Sequence, residues 1–173
     1  MRSLMRMAAA SVLACLLGCA HGSVQALPPI PDEALAGPIG DVKITLSEAL
    51  PESRRQAFLA HDGEALVRQA VVDAFARRSH WDPVSPQVLH LTVTVFRLRS
   101  TANAFINGWF AGIDMLEGEA EVTRGDAPPL RYTFKLSGSE DSYFKYSSGA
   151  RFRSLARCLG AELAEYVVPV PSG

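Results

Sequence analysis

The chain is poor in the residues that carry most protein chemistry. Of its 173 residues three are cysteine and four are histidine, and the net charge at neutral pH is only −1. Such a charge balance leaves no electrostatic footprint for nucleic acid, so no nucleic-acid partner is expected. His21, His61, His80 and His90 are scattered, with no His-x-x-x-His pair and no Cys-x-x-Cys. Metal ligands need closer spacing than this, and neither a metal nor a cofactor is expected. A Gly-x-Ser-x-Gly elbow is missing, Cys158 has only Arg157 beside it to favour a thiolate, and Gly108 and Gly112 of "NGWFAG" do not form a phosphate-cradling loop. These gaps leave no catalytic residue to name, and the protein is not expected to be an enzyme. Long apolar runs are missing too: Met7 to Gly18 falls short of the roughly 20 residues of a spanning helix.

What is present begins at the N-terminus. Arg2 and Arg6 precede that short apolar run, which is the form of an export signal. Leu16-Leu17-Gly18-Cys19 reads as a lipobox, in which the cysteine is acylated and becomes the new N-terminus. Cys15 after Val12-Leu13-Ala14 offers a second, less favoured lipobox. Val24-Gln25-Ala26 has the small-x-small form of ordinary secretory cleavage, which would release a soluble periplasmic protein after Ala26. Lipidation at Cys19 is the preferred reading. With the signal removed, Cys158 is the one cysteine outside the N-terminal stretch, so no internal disulfide framework can form.

Four regions follow: a signal over 1–18, a tether over 19–39, a folded domain over 40–168 and a tail over 169–173. The tether rests on "ALPPIPDEALAGP", which has neither helical nor strand periodicity. Val42, Ile44 and Leu46 alternate on a first strand. "SEALPESRRQAFLAH" reads as a loop with one helical turn, because Pro51 interrupts it. From an N-cap at Asp62, Leu66, Val67, Ala70, Val71, Ala74 and Phe75 recur at helical spacing up to Ser79.

"LHLTVTVFRL" alternates as a central strand with Leu89, Leu91, Val93 and Val95 on one side and Phe96 on the other. Two more alternating runs flank a turn at Gly125 to Pro129. Glu117, Glu119 and Glu121 of the first face outward beside Arg131 and Lys135 of the second. Carboxylates two residues apart suit acid–base work, but charge pairing across a hairpin accounts for them more simply. A last helix, from Ala150 to Val167, carries Phe152, Leu155, Ala156, Leu159, Leu163, Tyr166 and Val167 on one stripe. The order β-α-β-β-β-α predicts an α+β two-layer sandwich, a mainly antiparallel sheet of about four strands with two helices on one face.

Between the second and third strands lies "STANAFINGWFAGIDM". Phe105, Trp109 and Phe110 are candidates for contact with a partner protein or a membrane, or else for covering the domain's own core.

Asp41 to Val167, with its lipobox signal, its "LTVTVFRLRS" strand, the Gly/aromatic linker and "GIDMLEGEAEVTRGDAPPLRYTFKLSGS", resembles the bacterial lipoproteins of the domain of unknown function 4410 type. More distantly, the layout is similar to small α+β domains of curli-secretion and transporter-accessory lipoproteins. The resemblance implies no catalytic residues. Ala20, following the acylated cysteine, is not the aspartate that retains many lipoproteins at the inner membrane, so an envelope lipoprotein on the periplasmic face of the outer membrane is expected, held by its lipid, with an envelope protein as partner.

Overall fold

The computed structural model describes residues 20–27, 37–99, 113–125, 127–138 and 147–167. The strands are β1 (Ala20–Leu27), β2 (Asp41–Leu46), β3 (Val88–Arg97), β4 (Met115–Arg124) and β5 (Ala127–Gly138). The helices are α1 (Glu52–Leu59), α2 (Gly63–Arg77) and α3 (Ser148–Val167). The sheet order is β1-β5-β4-β3-β2, antiparallel throughout except for the parallel pair β2 and β3, which the α1–α2 connection joins. This is the α+β class expected, with one more strand and one more helix.

The extra strand lies in the segment read as a tether. All eight residues of Ala20–Leu27 pair with β5, from Ala20 opposite Gly138 to Leu27 opposite Arg131, and Val24 is only 2% exposed. An edge strand needs little apolar patterning of its own, because the backbone ladder of β5 supplies its hydrogen bonds. The far end of the supposed tether is also fixed. Ile39 is fully buried, its N–H donates to His80 O at 2.9 Å, and its carbonyl accepts from Asp82 N at 3.0 Å. Of residues 19–39, only 19 and 28–36 lie outside the described residues.

The extra helix, α1, begins directly after Pro51, where the sequence predicts an interruption. A proline lacks an N–H that the first helical turn would not use, and here Pro51 O accepts from both Arg54 N and Arg55 N. Phe58 is the residue α1 buries. Asp62 precedes α2 as expected but does not cap it. Its backbone is left-handed, with φ of 51°, its side chain makes no cap bond, and its carbonyl accepts from Leu66 N.

Val67, Val71, Ala74 and Phe75 of α2 and Phe152, Leu155, Leu159 and Leu163 of α3 bury against Leu89, Leu91, Val93, Leu116, Val122, Tyr132 and Phe134 of the sheet. Gly160 permits the two long helices to touch, since a Cβ there would meet Ala70 O of α2 at 2.5 Å. Tyr166, assigned from spacing to the buried stripe, is instead 52% exposed, while Gly160 and Ala164 are buried.

A bulge corrects the reading of β3. The register slips between Val93 and Val95, and Thr94 is the additional residue. Phe96 therefore turns inward and is 1% exposed, and Val95 lies opposite Glu117 on the outer face. Phe96, Phe58 and Phe152 then form a ring cluster with centroids 4.9 to 5.4 Å apart. The β4–β5 turn is tighter than expected: Arg124 pairs with Ala127, Gly125 has φ of 57°, and Pro128 and Pro129 lie in the first residues of β5.

Candidate functional site

All three described helices pack on one face of the sheet, and among the described residues no element covers the other. Strand alternation directs Ser23 and Gln25 of β1, Thr133 and Lys135 of β5, Glu117 and Glu119 of β4 and Thr94 of β3 to this face, where they line a shallow cavity of about 310 Å³. The charge pairing expected from the sequence is present. Glu121 and Arg131 are register partners joined at 2.7 Å, and Glu117 and Lys135 lie 3.0 Å apart. The second pair is an ion pair without hydrogen-bond alignment, since Glu117 Oε1 gains no hydrogen bond from it. Glu119, between them, lies opposite Thr133 and Thr92 and is exposed. The cavity brings together hydroxyls, an amide, two carboxylates and an ammonium, a set suited to hydrogen bonding and ion pairing with a polar surface.

A second constellation was not anticipated. Asp114, just before β4, and Arg151, in the first turn of α3, are 1% and 2% exposed and joined Nε to Oδ2 at 2.7 Å. Arg99 N donates to the other carboxylate oxygen of Asp114 at 2.8 Å, and Arg151 also donates to Arg99 O. Gly138 N donates to Asp114 O at 2.9 Å. One buried ion pair thus ties the end of β3, the start of β4, the end of β5 and the start of α3. A sequence signal for it exists: Arg151 stands four residues before Leu155 and eight before Leu159, on the apolar row of α3.

Cys19, Phe105, Trp109 and Phe110 lie outside the described residues. The flanks of the aromatic segment, Arg99 and Ile113, are at the end of the sheet that also holds Ala20. The histidines are dispersed. His61 packs its ring 6.2 Å from that of Phe152, His80 Nδ1 lies 3.1 Å from Arg78 O, and His90 is opposite Glu121. Among the described residues no three His, Cys, Asp or Glu side chains gather as a metal site requires, and no helix is long and apolar enough to cross a membrane. Cys158 is half-buried on α3 beneath β1, where a Cβ at Gly22 would lie 3.3 Å from its sulfur. Glu162 is under the same strand, and desolvation, followed by repulsion from Glu165, raises its pKa.

No protein-family model matches the chain, and no curated protein matches it. Among solved structures it is similar to two crystal forms of the PelC dodecamer from Paraburkholderia phytofirmans, one of them a point variant. Identity is 13% and 14%, TM-scores are 0.48 and 0.47, and 87% of this chain aligns with the whole of that one.

Proposed function

We propose that the protein is an exported lipoprotein of the bacterial envelope, acylated at Cys19, whose α+β domain is a non-catalytic interaction or assembly module. The carrying observation is the position of β1. Its first residue is Ala20, so processing at Cys19 keeps the whole edge strand, whereas cleavage after Ala26 removes residues 20 to 26, seven of its eight. That second cut would discard buried Val24 and remove Gly22, where an added Cβ would meet Leu136, Glu162 and Cys158, from above those side chains. The soluble periplasmic alternative is disfavoured on this ground.

A binding role draws support from the open sheet face. Acid–base catalysis works best where water is excluded and charges are preorganised, and Glu119 stands in the open. A polar, charge-paired face suits a protein partner in the envelope. For Phe105, Trp109 and Phe110 we propose membrane or partner contact, which the position of the segment's flanks at the Ala20 end favours.

Intact mass of the protein purified from membranes tests the anchor: an acylated chain beginning at Cys19 is expected, and Cys19→Ala should move the protein to the soluble fraction. A mature chain beginning at Leu27 without acyl groups defeats the proposal. Replacing Trp109 and Phe110 by Ser should reduce membrane or partner association while leaving the melting temperature unchanged.

A further inference from the structure

If Cys19 carries the lipid, as just proposed, no slack separates anchor from fold. Neighbouring Cα atoms are about 3.8 Å apart across a peptide bond, and the residue joined to Cys19 is already paired with Gly138 in the sheet. We infer that the protein is a directly seated lipoprotein whose sheet end bearing Ala20 faces the lipid headgroups. The first residue after the anchor is a strand residue.

The register identifies which described residues share this end. At this end lie Gly138, the paired Arg97 and Met115, the first turn of α3, and the buried Asp114–Arg151 pair that ties them. Among the described residues, this tie joins three strand ends and a helix start into one unit. The opposite end holds the Gly125 turn, the start of β2 at Asp41, and the loop of Val84, which is 85% exposed. With seven rises of about 3.3 Å along β1, the two ends differ in height by about 23 Å when the strand stands upright. The open face, with Glu119 and Lys135, then stands beside the bilayer normal, accessible from the periplasm.

The test uses the acylated full chain in phosphatidylethanolamine–phosphatidylglycerol vesicles, some of them carrying a headgroup-attached nitroxide. In a Cys158→Ser background, a fluorophore is placed by Ser137→Cys at the proposed near end or by Val84→Cys at the far end. Quenching of the near label is expected to exceed that of the far label several-fold. In a Trp109→Ser, Phe110→Ser background, which removes any hold of the aromatic segment on the same end, a flexible insertion of about 15 Gly and Ser residues between Cys19 and Ala20, with a mean span of about 20 Å, should erase the difference. Equal quenching without the insertion, in protein whose mass shows acylation, overturns the seating and leaves the anchor intact. A difference that survives the insertion overturns direct seating as its cause. Protein that lacks acyl groups defeats both readings.

Discussion

Two of the places where the molecule pairs opposite charges, the open sheet face and the Ala20 end, use the same Arg–carboxylate contact at 2.7 Å and differ in burial and in sequence separation. On the open sheet face Glu121–Arg131 and Glu117–Lys135 join neighbouring strands, with the cations more than 60% exposed. At the Ala20 end Asp114–Arg151 joins residues 37 apart in sequence and is shut off from water. Exposed pairs are screened and contribute a few tenths of a kcal/mol to about 1 kcal/mol. A buried pair has already been desolvated, so breaking it strands a charge. The surface pairs embellish a hairpin that alternation would form anyway, whereas the buried pair decides how four chain segments meet.

The largest expected effect comes from breaking the buried pair on one side. Arg151→Met removes the Nε–Oδ2 ion pair from a carboxylate that stays buried, at a cost of about 3 to 5 kcal/mol in urea unfolding. Adding Asp114→Leu removes the stranded charge and should recover a large part of that loss. If the single variant unfolds like the parent, the pair is not what holds this end.

Next in size is removal of β1. A chain beginning at Leu27 loses the burial of Val24, worth about 1.5 to 3 kcal/mol, and uncovers the β5 edge beside it. Its urea midpoint should fall below that of a chain beginning at Ala20. Equal midpoints would mean that β1 adds no stability, and would weaken the argument against cleavage after Ala26.

The surface pair comes third. Glu121→Gln should cost about 0.2 to 1 kcal/mol, and the loss should vanish near 1 M salt, where the screening length is about 3 Å. The Arg151→Met loss should persist at the same salt concentration. Similar salt responses would erase the distinction between the two regions.

These regions also differ in how far they could be read from the sequence. The outer pairs were legible because period-two alternation and a hairpin turn fix which residues oppose each other, and Glu117, Glu121, Arg131 and Lys135 fell where alternation put them. The buried pair was not, because no local period links residue 114 to residue 151. Arg151 on an apolar row was the one clue that a buried anion waits elsewhere. β1 escaped for a related reason: "AHGSVQAL" has a single strongly β-favouring apolar residue facing inward, Val24, and its strand identity comes from β5. Phe96 was misassigned because the Thr94 bulge resets the alternation partway along a strand whose composition is uniform. Local pattern carried the helix-facing core, and long-range pairing carried the sheet end.

The smallest expected effect concerns Glu162, a carboxyl between the two regimes: half-buried and under β1. Loss of water, and then the charge of Glu165, push its pKa above the ordinary value of 4.5. The folded chain therefore holds this proton more tightly than the unfolded chain does. Below the unfolded pKa the carboxyl is neutral in both states and costs nothing. As pH rises through the folded pKa, stability is lost, and the loss is complete above it. Glu162→Gln should accordingly leave the melting temperature unchanged at pH 4, raise it slightly at pH 7, and do so by less than the surface pair contributes, because partial exposure screens the charge. In a chain beginning at Leu27 the cover is gone and the pH-dependent gain should shrink. A gain that is the same at both pH values would show that the substitution acts through packing instead, and that β1 does not press on this carboxyl.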